Sequence, residues 1–195
     1  MDLTIAGQTF RVADSSVWEL EGETLAGTAD PRTDLFVDPQ DGRSTLNAPR
    51  LLTAAPAGDF QLSARVQVGF ESTYDAGALL LWTGDDLWAK LCFEYSPHGK
   101  GMIVSVVTRG RSDDANGFIV DGGSVWLRMS GIRGAYAFHA STDGEWWHLC
   151  RHFTLGTFSS EVGFEVQSPL GQGCRATYSD VTYRAHALAD LRDGT

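Results

Sequence analysis

The chain has 195 residues, 43% hydrophobic and 21% charged, the proportions of an ordinary globular protein and not of a disordered or collagen-like one. That length can bury one sizeable core without disulfide staples, and no run of about 18 apolar residues is present to cross a membrane as a helix. The net charge of −10 repels phosphate backbones and anionic lipid, so neither nucleic acid nor a membrane surface is an expected partner.

The amino terminus, Met1-Asp2-Leu3-Thr4, lacks the basic start and apolar stretch of a signal peptide. Ala29 to Pro49 is polar and turn-rich and reads as a long surface connection over one end of the fold. Within it, Asp38-Pro39-Gln40-Asp41-Gly42 lacks the ligand spacing of a calcium loop and reads as a turn. From Asp59 to Phe70, Leu62, Ala64, Val66 and Val68 alternate with Gln61, Ser63, Arg65 and Gln67, the signature of a half-buried strand. The same period returns at 86–95, 102–109, 124–130, 135–141, 145–153, 161–167 and 174–184. Turn signals such as Pro97-His98-Gly99, Asp121-Gly122-Gly123 and Asp143-Gly144 separate these runs. No window of about 12 residues holds a helical period; only Ala185–Leu191 suits a short helix. The expectation is an all-β sandwich in a single domain, 1–195, with a short tail from 185 to 195.

Alternation assigns faces. Ala89, Leu91 and Phe93 point inward, leaving Trp88, Lys90, Cys92 and Glu94 outward. Met102, Val104 and Val106 are assigned inward, with Ser105, Val107 and Arg109 outward. Trp126 and Arg128, His139, and Glu165 and Gln167 fall on the outward sides of their runs. Trp147 shares parity with Leu149 and Phe153 and is expected in the core, with Trp146 pointing away. Tryptophan among single charges is unusual for a solvated face and suits a ligand groove, where the ring supplies apolar contact and the charges supply orientation. Lys90 stands out because, of 15 basic residues, only it and Lys100 are lysines.

The run Tyr74-Asp75-Ala76-Gly77-Ala78-Leu79-Leu80-Leu81 is followed by Trp88-Ala89-Lys90, Phe93-Glu94-Tyr95, Val106-Val107-Thr108-Arg109 and Leu127-Arg128. Ser141-Thr142-Asp143-Gly144-Glu145-Trp146-Trp147, Val162-Gly163-Phe164 and Ser168-Pro169 complete the series. From about Trp18 to Tyr183 it resembles the regulation-of-enolase-like family of the concanavalin A-like lectin/glucanase superfamily. The resemblance implies two antiparallel sheets in a jelly-roll-like sandwich, one of them concave. Cys92 stands where that family commonly has glycine, and Asp113-Asp114 where it commonly has Asp-Trp.

Ligand-binding candidates are Trp88, Lys90, Arg109, Trp126, Arg128, His139 and Gln167. Glu94 and Glu165 are the candidate acid/base pair, against the plainer alternative of ion pairs with Lys90, Arg109 and Arg128. If all five charges line one groove, three positive and two negative, the groove is locally cationic and selects an anionic ligand. His148, Cys150 and His152 share one strand parity but have no obvious further ligand, so no metal is expected. No glycine-rich phosphate loop or nucleophile elbow appears, and no cofactor is expected. Cys92, Cys150 and Cys174 have no paired spacing and fit free thiols in a reducing, cytoplasmic compartment. The function read from the sequence is binding of a carbohydrate or similar small molecule in the groove. The alternatives are a glycoside hydrolase, an isomerase or lyase of a small metabolite, and a regulatory interaction with a protein partner.

Overall fold

Short alternating runs bounded by turns form strands throughout, and a computed structural model describes residues 1–13, 16–156 and 159–195. One sheet has eight strands in the order β1 (Asp2–Ile5), β2 (Gln8–Val12), β7 (Arg50–Ala54), β16 (Glu161–Gln167), β9 (Ala76–Gly84), β10 (Leu87–Tyr95), β11 (Gly101–Arg109) and β12 (Ser112–Val120). The other has seven, in the order β15 (His148–Phe153), β14 (Ala135–Ser141), β13 (Ser124–Ile132), β8 (Phe60–Val68), β17 (Cys174–Arg184), β4 (Thr24–Ala29) and β3 (Val17–Glu21). A two-stranded ribbon, β5 (Leu35–Val37) with β6 (Ser44–Leu46), completes the set. Pairing within the sheets is antiparallel throughout, and the all-β sandwich expected from alternation is the fold. Among the described residues no helix is present, so none is long or apolar enough to span a membrane.

The core lies between the two large sheets. Leu62, Ala64, Val66 and Val68 from β8 meet Leu79 and Leu81 from β9, Ala89, Leu91 and Phe93 from β10, and Val162, Phe164 and Val166 from β16. Val125, Leu127, Met129 and Phe138 enter from the second sheet, as their parity indicated. Strand β11 is the exception: Ile103 and Val107 enter the core, and Met102, Val104 and Val106 face the other way. Both faces of β11 are apolar because both are covered, so alternation carries no information about which side is inward.

The segment assigned to a loop over one end instead lies on the outer face of the eight-stranded sheet. Leu35 and Ala48 pack there with Leu52, Leu80, Trp88, Cys92 and Val104. Val37 N–H donates to Ser112 Oγ at 2.9 Å, tying this cover to the sheet edge. The tail from 185 to 195 forms turns in place of the expected helix and lies on the outer face of the other sheet, where Gln61 Nε2 donates to the His186 carbonyl at 3.3 Å.

Tyr178 crosses the core from β17. Its hydroxyl accepts from Ala78 N–H at 3.2 Å and donates to the Glu165 carbonyl at 2.6 Å, so it sits between β9 and β16 of the opposite sheet. Gly77 makes this approach possible, since a Cβ there would lie 2.8 Å from the Ala176 Cβ and 3.2 Å from the Tyr178 hydroxyl. Replacing Tyr178 by Phe leaves two buried backbone groups unpaired and is expected to lower stability by about 1–3 kcal/mol in urea denaturation. An unchanged midpoint would show that the hydroxyl is not a structural link between the sheets.

Candidate functional site

Parity on β10 turns Trp88, Lys90, Cys92 and Glu94 to the outer face of the eight-stranded sheet. Lys90 pairs with Leu80 of β9 and Val106 of β11, and Glu165 of β16 pairs with Ala78 of β9. Lys90 and Glu165 therefore stand two strands and two residues apart, about 12 Å between backbones, a gap that the lysine stem closes. Lys90 Nζ lies 3.8 Å from Glu165 Oε1 and 3.5 Å from Asp34 Oδ1, and it donates to Gln167 Oε1. Gln167 Nε2 in turn donates to the Tyr74 carbonyl at 3.1 Å, which fixes its amide orientation. Trp88 is fully buried beside this cluster, 17° from parallel with Trp82, with Lys90 Nζ 5.7 Å from its ring centroid.

The lysine is only 2% exposed and Glu165 is not exposed at all. Burial is the largest influence on the Lys90 ammonium and pulls its pKa down, but Glu165 and Asp34 more than offset it and hold the group above its ordinary value. Burial pushes the Glu165 carboxyl up to about 7 against the opposing pull of Lys90, and neither of its oxygens has a hydrogen bond among the described residues. Glu94, almost as deeply placed, is also raised to about 7, first by burial and then against the attraction of Lys90. Cys92, between Lys90 and Glu94 on the same strand face, is buried and its thiol is pushed up well above its ordinary value by burial.

Above the ammonium opens a cavity of about 410 Å³ lined by Lys90, Glu94 and Gln167, with Asp34 and Phe36 from the covering segment and Asp114 and Asn116 from β12. Met102, Val104 and Val106, the side chains that alternation had sent to the core, form its apolar wall, and Tyr74, Pro97 and Pro169 line it as well. Asp114 pairs with Val106 and Asn116 with Val104, so both share the Lys90 face. A second ring of contacts holds the rim. Ser168 Oγ donates to Asp75 Oδ1 at 2.7 Å, and Asp75 Oδ2 accepts from the N–H groups of Glu71 and Ser72 at 3.0 and 2.8 Å. A larger cavity, about 790 Å³, opens at one end of the sandwich against Ala54–Phe60 and Gly131–Tyr136, but it gathers no comparable set of buried polar groups.

The nine candidate residues do not converge. Lys90, Glu94 and Gln167 line the cavity, while Trp88 and Glu165 lie buried beside it. Glu94 and Glu165 therefore do not both face an open space, as the acid/base pair requires. Arg109 is exposed, pairs with Leu87 on the core parity of β11, and donates to the Thr154 carbonyl at 2.6 Å. Trp126, Arg128 and His139 belong to β13 and β14, on the outer face of the opposite sheet. The expectation of one cationic groove fails for this reason, because the two arginines that made it cationic are elsewhere. The cavity is acidic instead, with Asp34, Glu94 and Asp114 against Lys90.

Trp147 is likewise not in the core. It precedes β15, so strand parity does not govern it, and the Arg128 guanidinium lies 4.1 Å from its ring centroid. A bulge between Phe138 and His139 pairs His148 with Ala140 on the core parity and His152 with Ala137 on the outer one, so the three-residue row is broken. Among the described residues no group of His, Cys, Asp and Glu is arranged to hold a metal. Sequence reasoning missed Asp34, Phe36, Tyr74, Asp114 and Asn116. Only Asp114 left a signal, as part of the pair standing where Asp-Trp is common in the resembling family.

The raised carboxyls make stability pH-dependent. A carboxyl whose folded pKa of about 7 exceeds its ordinary 4.5 takes up a proton on folding between those values. Stability therefore falls as pH rises through that window and is level above it. Glu94→Gln removes one of the two groups, and its melting temperature is expected to fall less steeply across the window and to exceed the wild-type value at alkaline pH. Parallel profiles would show that Glu94 stays ionised in the folded protein.

A family described as a protein of unknown function (DUF1349) matches residues 12–186, and the chain belongs to it. No curated protein matches the chain. A solved structure of a functionally unknown protein from Saccharomyces cerevisiae is 24% identical with a TM-score of 0.84, covering 94% of this chain and 99% of that one. A GH43 protein from Bacillus licheniformis is 16% identical with a TM-score of 0.70 over 91% of this chain, which spans only 36% of the GH43 chain. The carbohydrate-binding module CBM66 from Bacillus subtilis is 13% identical with a TM-score of 0.57, covering 90% and 94% of the two chains. These likenesses establish the sandwich fold.

Proposed function

We propose that this member of the DUF1349 family binds a neutral, polyhydroxylated small molecule, a sugar or short oligosaccharide, in the acidic cavity over Lys90. One observation carries the reading: a buried ammonium ringed by carboxylates and amides opens into a cavity with an apolar wall. Sugar hydroxyls donate to Asp34, Glu94 and Asp114 and accept from Lys90 and Asn116, while C–H faces pack on Phe36, Tyr74 and Met102. An anionic ligand is disfavoured by three carboxylates facing one cation. The structural neighbours lend coarse support, since they include a carbohydrate-binding module and a GH43 protein. The reading retains the closer resemblance to regulation-of-enolase-like proteins and a cytoplasmic setting, to which three free thiols lend support.

A second reading rests on Glu94, a carboxyl titrating near neutrality at the cavity wall. In an enzyme it would be the general acid, protonating a leaving oxygen. Glu165 would act through Lys90, since it has no exposure of its own.

Calorimetric titration of the full chain with neutral xylo-, arabino- and gluco-oligosaccharides tests both. Saturable binding is expected, weakened about five- to tenfold by Asn116→Ala or Asp114→Ala, as loss of one or two hydrogen bonds requires. Both residues lie on the edge strand β12, so melting temperatures should not move. Saturable binding by none of the sugars, or binding indifferent to both substitutions, would refute the groove. Sugar cleavage abolished by Glu94→Gln would establish the enzyme in place of the binding module.

A further inference from the structure

The outer face of the seven-stranded sheet carries a second polar assembly, independent of the cavity over Lys90. On β13, Arg128 pairs with His139 of β14 and Ser63 of β8, so the three share one outward row. The Arg128 guanidinium lies over the Trp147 ring, and the residue is only 7% exposed. Its Nη2 donates to the Gly194 carbonyl at 2.6 Å, while its Nε has no partner among the described residues. Two neighbours under the tail are in the same state. Among the described residues Ser130 Oγ is unpartnered, and His139 donates from Nε2 to the Leu191 carbonyl at 2.9 Å, leaving Nδ1 an unpaired acceptor.

A buried guanidinium is stable only when its charge is matched. Among the described residues neither Arg128 nor Arg184 makes a salt bridge. The two arginines instead share the lining of an opening of about 310 Å³, with Trp126, Trp147, Ser63 and Thr182. Asp180, the single carboxylate in that lining among the described residues, is exposed and makes no salt bridge there with either arginine. Arg65 lies over Trp126 at 4.8 Å from the same face, adding a third guanidinium nearby. Two guanidiniums, one of them largely buried, thus line one opening together with indoles and hydroxyls.

We propose that this opening is a binding site for a phosphoryl group, free or carried on a small molecule, seated between Arg128 and Arg184. A phosphoryl group offers several acceptor oxygens, enough to engage the guanidiniums of Arg128 and Arg184 that line the opening together. Trp126 and Trp147 then flank whatever the phosphoryl group carries. Burial and the neighbouring Arg184 charge already lower the Arg128 pKa to about 10, a direction that a bound anion reverses. The site has the opposite charge preference to the cavity over Lys90, so the two readings stand or fall separately.

The test is a titration of the full chain with sodium phosphate, and separately with phenyl phosphate, followed by tryptophan fluorescence against sodium chloride of equal ionic strength. Both phosphates are expected to give a saturable change absent with chloride, and phenyl phosphate to bind tighter if the indoles receive an attached group. Arg184→Gln, at an exposed position, should weaken binding about tenfold without shifting the melting temperature. Arg128→Lys should weaken it while keeping the charge, since an ammonium cannot grip bidentately. Arg109→Gln, a charge removed from elsewhere, should leave it unchanged. The proposal is overturned if both phosphates act no differently from chloride, or if Arg184→Gln and Arg109→Gln weaken binding equally.

Discussion

A lysine ammonium held out of water governs the eight-stranded face. Leaving such a charge unmatched costs several kcal/mol, so its position demands partners. Those partners come from separate parts of the chain: Asp34 from the covering segment, and Glu165 and Gln167 from β16. Placing Lys90 therefore also places the segment that roofs its cavity and the strand two places away. For Glu165 the match is one of charge more than of hydrogen bonding, since among the described residues neither of its oxygens has a hydrogen-bond donor. Arg50 stands opposite Glu165 on β7 and adds a second positive influence on that carboxylate.

The same sandwich presents two outer faces of opposite character. One sheet turns acids and a lysine outward under the segment from Leu35 to Ala48, and the other turns arginines and tryptophans outward under the tail. In each case a stretch without long strands covers polar groups that a bare sheet would leave in solvent. Between them, Tyr178 links the sheets through the backbone at Ala78 and Glu165, directly behind the buried pair. The core thus braces the carboxylate that neutralises Lys90.

Much of the fold was legible because one physical asymmetry wrote it. Where a strand has the core on one side and polar surroundings on the other, as in β8, apolar and polar residues alternate and parity is unambiguous; in β10, covered on both faces, Lys90 and Glu94 alone marked the outer side. That asymmetry failed in β11, buried on both faces, and at the bulge in β15, where an inserted residue reverses parity. It also failed at Trp147, which lies just outside a strand. The edge strand β12 went unrecognised because its sequence, SDDANGFIV, is polar over most of its length.

For the site, the sequence by itself determined which side chains leave the core: Trp88, Lys90, Glu94, Trp126, Arg128, His139, Glu165 and Gln167 all do so. Which of them meet was decided only by tertiary structure. Parity is a local property of one strand, whereas an outward side chain has two outer faces available to it, one per sheet, and strand order assigns it to one or the other. That order separated Arg128 from Lys90 by the full thickness of the sandwich. It also brought in Asp34 and Asn116, whose local sequence carries no trace of the lysine they surround, and Asp114, marked only by its place in the Asp113-Asp114 pair. The sign of the cavity's charge followed from this long-range pairing, because electrostatic matching acts through space and leaves no period along the chain.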